Sequence, residues 1–148
     1  MANATVRPFA EDDRSACQRI AAAAALTSYG ARLPLPAGTL RADAPLDEVD
    51  LRLVAIVDDG VAGFIDLTGR NIENLFVDPA VQGRGLGSVL MAAAEEALGA
   101  GDLTLAVFTV NPDARRLYER LGFVVESTGM AAFVGGETEV WRMRKQRG

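Results

Sequence analysis

Leu75-Phe76-Val77-Asp78-Pro79-Ala80-Val81-Gln82-Gly83-Arg84-Gly85-Leu86-Gly87-Ser88-Val89-Leu90-Met91 reads as a strand end, a tight glycine turn and a helix start. Leu75, Phe76 and Val77 are strand formers. Asp78-Pro79 ends the strand, because proline donates no ladder hydrogen bond. Gly83, Gly85 and Gly87 follow at every second position, and Leu86, Val89, Leu90, Ala93, Ala94 and Ala97 then recur at helical spacing. Glycines at a helix entrance let a ligand come close to the backbone. Unpaired N–H groups and the positive end of the helix dipole favour an anion there. Gln82 to Ser88 is therefore expected to seat a phosphate or pyrophosphate, although glycine turns also join strands to helices with no ligand.

Two nucleotide motifs fail on these residues. The P-loop pattern needs a lysine and a Ser/Thr after its second glycine, and no such run exists. Gly83-Arg84-Gly85 starts a dinucleotide fingerprint, but Ser88 stands where its third glycine belongs. A different pattern fits. Gln82-Gly83-Arg84-Gly85-Leu86-Gly87 resembles the Gln/Arg-x-x-Gly-x-Gly/Ala signature of the GNAT superfamily of N-acetyltransferases. Asn111-Pro112-Asp113-Ala114-Arg115-Arg116-Leu117-Tyr118-Glu119-Arg120-Leu121-Gly122-Phe123 resembles that family's Asn-x-x-Ala-x-x-x-Tyr-x-x-x-Gly-Phe block. The two blocks stand in the family's order, and with the strand and helix order the resemblance covers nearly the whole chain. It implies an α/β fold with a mixed, mostly antiparallel sheet flanked by helices. The fourth and fifth strands of that sheet splay apart in a V.

The composition agrees with a globular chain. Its 148 residues suit a single domain over 1–148 with a real core. Hydrophobic residues make 49% and charged residues 24%, which excludes a disordered chain. Fifteen basic against twenty acidic side chains give −5. This argues against general nucleic-acid binding and mildly favours a cationic substrate, with a solubilising acidic surface as the plain alternative. One cysteine and no histidine exclude an internal disulfide and a zinc cluster, so no metal is expected. Met1 to Ala10 lacks the apolar run of a signal peptide, and no run reaches transmembrane length. A cytoplasmic setting without a membrane partner is expected.

Along the chain, Thr5 to Phe9 reads as a first strand, and Glu11-Asp12-Asp13 opens a helix running to about Leu26. Ala21 to Ala25 forms a close-packed face of that helix, and Cys17 is a small buried hydrophobe. Thr27 to Asp50 is irregular, with one helical turn expected near Pro45 to Val49. Long irregular loops are often functional, so Tyr29, Arg32, Leu33 and Leu35 become candidates for substrate contact. Leu51–Val57 and Val61–Thr68 form a hairpin through Asp58-Asp59-Gly60, and Asn71–Val77 returns after Gly69-Arg70. The helix from Gly85 to Leu98 stops at Gly99-Ala100-Gly101. Leu103 to Val110 is then a parallel crossover strand beside Leu75–Val77. Pro112 starts a helix behind Asn111, and Phe123–Val134 and Glu137–Met143 close a hairpin through Gly135-Gly136. Arg142, Arg144, Lys145 and Arg147 read as a solvated basic tail.

The resemblance places chemistry on these elements. It implies that acetyl-CoA is the co-substrate and enters the V. Leu75, Phe76 and Val77 would flank the pantetheine, with backbone groups of Leu75 and Val77 meeting its amides. The amides from Gly83 to Ser88, Gly85, Leu86 and Gly87 among them, would hold the pyrophosphate behind Gln82, and Arg84 would add a charge. Asn111 would touch the cofactor and cap its helix. Tyr118 would lie near the sulfur and act as general acid, since a hydroxyl of pKa ~10 suits a thiolate whose thiol has pKa ~8.5–10. Its plain alternative is a core aromatic residue.

With no histidine, the base must be a carboxylate, a tyrosine or water. Strand alternation puts Glu73 on one face with Asn71, Leu75 and Val77. The family's best-known register for a base falls on Asn71 and another on Ala106. Glu73 as base or amine anchor therefore stands beside a water-relayed route. The implied activity is acetyl transfer from acetyl-CoA to a primary amine of a small molecule, peptide or protein, by direct attack in a ternary complex. A homodimer is common in the family. The other readings are a non-catalytic acyl-CoA-binding domain and a nucleotide-binding module.

Overall fold

The computed structural model describes residues 3–148; Met1 and Ala2, at the head of the Met1–Ala10 stretch, lie outside it. The chain runs β1 (Thr5–Pro8), α1 (Arg14–Ala25), β2 (Leu51–Val57), β3 (Gly60–Thr68), β4 (Asn71–Val77), α2 (Leu86–Leu98), β5 (Leu103–Phe108), α3 (Pro112–Arg120), β6 (Val124–Phe133) and β7 (Gly136–Lys145). The strands form one sheet in the order β1-β2-β3-β4-β5-β7-β6. Among the described residues only the β4–β5 pair is parallel.

Two faces of the sheet carry two cores. On one, Cys17 and Ile20 of α1 pack against Val54 and Phe64, with Phe9 and Phe76 at the margin. On the other, Leu90, Met91 and Ala94 of α2 meet Leu53, Ile65, Leu67, Leu103, Leu105, Phe123 and Met143. The alternation of β5 decides this side: Leu103, Leu105 and Val107 are buried while Ala106 is exposed. Cys17 is fully buried and its thiol is pushed up to about 12 by burial, so it behaves as the expected small hydrophobe.

Local chemistry sets the element ends. The β2–β3 turn is Asp58-Asp59, both at positive φ (50° and 64°), the mirror-type turn that suits a twisted hairpin. Asp13 reaches back to accept from the Ala10 N–H at 2.8 Å and from both guanidinium arms of Arg7. Arg70, in the β3–β4 turn, stops α2 by donating to the carbonyls of Leu98, Gly99, Ala100 and Asp102 at 2.8–3.1 Å. Gly101 has to be a glycine there, since its φ is +124° and a Cβ would lie 2.7 Å from that guanidinium.

Four expectations need correction. The first helix begins as a 3-10 turn over Glu11–Asp13 and ends in a π-helical turn over Leu26–Gly30, so helix continues where irregular chain was expected. No helical turn forms at Pro45–Val49; the turns in that loop lie at residues 31–32, 37–40 and 42–43. The last hairpin turns at Val134-Gly135, because Gly136 already pairs with Phe133. The basic stretch is not a free tail. Arg142, Arg144 and Lys145 lie on β7 between β5 and β6, and Lys145 and Arg147 both pair with Glu95 of α2 at 3.0–3.1 Å.

Candidate active site

The parallel strands β4 and β5 register at one point, Asn71 opposite Thr104. Beyond it β5 follows β7 as far as Phe108, while β4 follows β3 as far as Val77. The two strands thus diverge in a V, and a cleft of about 570 Å³ occupies the gap. Leu75, Phe76 and Val77 form one wall. Gln82, Gly83, Gly85, Leu86, Gly87 and Ser88 form its head, and Asn111, Asp113, Ala114, Leu117, Tyr118 and Arg120 form the opposite wall.

The head presents backbone amides without intrahelical partners. Gly83 and Gly85 are left-handed, at φ +83° and +77°, which explains glycine there through the backbone alone. Gly87 has no such conformation, and nothing stands within 4 Å of where its Cβ would be. Neither backbone strain nor packing calls for glycine at this helical position. Gly85 caps the helix without a side-chain acceptor, so the amides of Leu86, Gly87 and Ser88 have no intrahelical partner. Arg84 is exposed and does not line the cleft, unlike its neighbours in the signature.

On the α3 wall, Asn111 is buried and caps the helix, its Oδ1 accepting from the Ala114 N–H at 3.2 Å. Asn111 also lines the cleft, so cap and site residue are one side chain. The Tyr118 ring packs edge-on against Phe123 at 5.9 Å. Burial pushes the Tyr118 hydroxyl above the ordinary tyrosine value, so it keeps its proton at neutral pH.

The end of α1 straps the V. Tyr29 meets Phe108 of β5 edge-on at 5.0 Å, and Arg32 Nη1 donates to the Val110 carbonyl at 2.8 Å. Ala24, Thr27, Ser28 and Arg32 line the cleft from this side, while Tyr29 faces an adjoining cavity. The strap residues Ala24, Thr27 and Ser28 carry no motif in the sequence. Ala114 and Leu117 were legible, as they follow Asn111 at helical spacing.

Glu73 sits differently from expectation. β3 and β4 pair Asp66 with Asn74 but Leu67 with Ile72, so Glu73 is the extra residue of a bulge. Ile72, Leu75 and Val77 consequently join the α2-side core. Glu73 is exposed instead beside Asn71, whose Nδ2 donates to its Oε2 at 2.6 Å. Asn71 Oδ1 accepts in turn from the Thr104 hydroxyl at 2.7 Å. Glu73 therefore stands at the apex of the V, sharing a face with Asn71 and not with Leu75 and Val77, and it does not line the cleft.

Among the described residues no group of carboxylates and cysteine is arranged to hold a metal, and no helix is long and apolar enough to cross a membrane. Residues 50–125 match the acetyltransferase (GNAT) domain family. An acetyltransferase of Agrobacterium fabrum is 34% identical over 116 residues, covering 74% of this chain and 84% of that one. The peptidyl-lysine N-acetyltransferase YjaB of Salmonella typhimurium is 42% identical over 74 residues, 49% of each chain. The PaiA N-acetyltransferase of Thermoplasma acidophilum, solved in complex with coenzyme A, superposes with a TM-score of 0.75 over 97% of this chain and 99% of that one, at 19% identity. Both sequence blocks lie within the matched residues 50–125, and the chain belongs to the GNAT family as an acyl-CoA-dependent N-acetyltransferase.

Proposed function

We propose that the protein transfers the acetyl group of acetyl-CoA to a primary amine by direct attack within a ternary complex. One observation carries this reading: a single cleft holds both the free amides of α2 and the hydroxyl of Tyr118. The amides suit a pyrophosphate, and the hydroxyl suits a proton donor. The coenzyme A bound to the PaiA neighbour supports the first assignment. The peptidyl-lysine activity in the name of the YjaB relative supports an amine acceptor.

In this reading the residues divide the work. The backbone of Leu75 and Val77 aligns the pantetheine, the amides from Gly83 to Ser88 and the side chains of Gln82 and Asn111 hold the cofactor, and Tyr118 protonates the departing sulfur. The amine nitrogen bonds to the acetyl carbon as the carbon–sulfur bond breaks. Its surplus proton leaves through water, with Glu73, outside the cleft wall, as the acceptor. The chain acts as one domain over 1–148.

The test is turnover. The full chain is given acetyl-CoA with butylamine, amino acids or a lysyl peptide, and thiol release is compared with acetyl-amine by mass spectrometry. Thiol release should match acetylated amine, and acetyl-CoA alone should raise the melting temperature by mass action. A thermal shift with no product from any amine would reduce the protein to a binder of acyl-CoA.

A further inference from the structure

A second cavity, of about 180 Å³, lies between α1, the segment 39–47 and the sheet. Phe76 lines both this cavity and the cofactor cleft. Its ring stands edge-on to Phe64 at 5.7 Å, and Tyr29 contributes a further aromatic wall. Phe76, on the β4 arm of the V, is the wall that the two spaces share.

The charges on the walls do not cancel. Arg41 is paired with Asp43 at 2.9 Å. Asp66 is fully buried and compensated: its Oδ1 accepts from Arg52 Nε at 2.6 Å, and its Oδ2 from Arg52 Nη2 and Asn74 Nδ2. Asp47 has only a neutral side-chain partner, Asn74 Nδ2, at 2.9 Å. Its charge reaches Tyr29, whose hydroxyl is raised first by burial and then by Asp47. Asp47 stands exposed at the rim of this space, with Arg52 Nη2 donating to its backbone carbonyl at 2.9 Å and, among the described residues, no cation on its carboxylate. A negative charge thus lies at the mouth of a cavity with aromatic walls, which suits an organic ammonium.

That charge constrains which nitrogen lies there. A carboxylate favours the charged form of a neighbouring amine, and a protonated amine cannot attack a thioester. The group beside Asp47 is therefore not the reacting one. We infer that the cavity holds a second ammonium of the acceptor, so that the preferred substrate is a small diamine. One nitrogen rests charged against Asp47, and the other passes Phe76 into the V as the free amine. This inference rests on the acetyl-transfer reading above. A lysyl side chain has one nitrogen and cannot both fill the cavity and react.

The test compares putrescine with butylamine, the monoamine of equal chain length, in the wild-type chain and in Asp47→Asn. Putrescine should have the higher kcat/KM by about tenfold or more, as for a charge-assisted contact, and the ratio should fall toward one in Asp47→Asn. Calorimetry with putrescine alone should show binding that Asp47→Asn loses. A wild-type ratio near one, a preference that survives Asp47→Asn, or a lysyl peptide outperforming putrescine overturns the inference while leaving acetyl transfer intact. Putrescine binding through Asp47 without acetylation of any amine supports the cavity assignment and overturns the acetyl-transfer reading.

Discussion

At the residue scale, the proposed reaction assigns to Tyr118 the proton delivered and to Glu73 the proton removed. Tyr118→Phe removes a hydroxyl and almost no volume, so the Phe123 contact survives. We expect kcat to fall by about 10²-fold with acetyl-CoA affinity nearly kept, measured by steady-state kinetics and thermal shift. Its raised pKa also fixes the pH behaviour. A donor with a pKa above the ordinary ~10 stays protonated through neutral and mildly alkaline pH, so the wild-type kcat profile should show no alkaline limb below about pH 10. A limb near pH 8 would point to a different acid. For Glu73→Gln the shape and the bond from Asn71 can persist while the charge goes. The expected result is a fall in kcat of about 10²-fold and loss of the acidic limb. A raised KM with kcat intact would make Glu73 an anchor for the amine, since the lost contact would then be shared by ground and transition states.

At the scale of elements, the entrance of α2 combines two kinds of glycine. Gly85 is required by its left-handed backbone, whereas Gly87 is helical and faces open space. In the proposed reading, function and stability oppose each other at position 87. Gly87→Ala should stabilise the ligand-free protein by about 0.5–1 kcal/mol, because alanine loses less backbone entropy in a helix. The same methyl should weaken acetyl-CoA binding, and chemical denaturation with and without acetyl-CoA separates the two effects. Unchanged affinity would move the pyrophosphate away from this turn. Elements were largely legible in the sequence because their signals are local: the 3.6-residue spacing after Gly85, the Asp-Asp-Gly turn, and proline behind Asn111 each act within a few residues. The π-helical turn over Leu26–Gly30 was not, since Tyr29 and Arg32 are held by Phe108 and Val110, far away in sequence.

Across the whole molecule, the sequence by itself determined the order of strands and helices, the glycine cradle and the Asn111–Tyr118 stripe. Periodicity, turn residues and helix caps all act between near neighbours. It also determined that no histidine or disulfide takes part, because composition alone settles that. Only the tertiary structure decided the rest. A one-residue bulge, visible only once β3 pairs with β4, turned Glu73 from the core-side face to the apex of the V. The position of β7 between β5 and β6 converted a basic tail into ion pairs with α2. The loop before β2 brought Asp47 to Asn74, 27 residues along the chain, beside a buried Arg52–Asp66 pair. Register, strand order and charge compensation are properties of pairs distant in sequence. No local pattern encodes them, and they fix which carboxylates are paired with a cation and which are not.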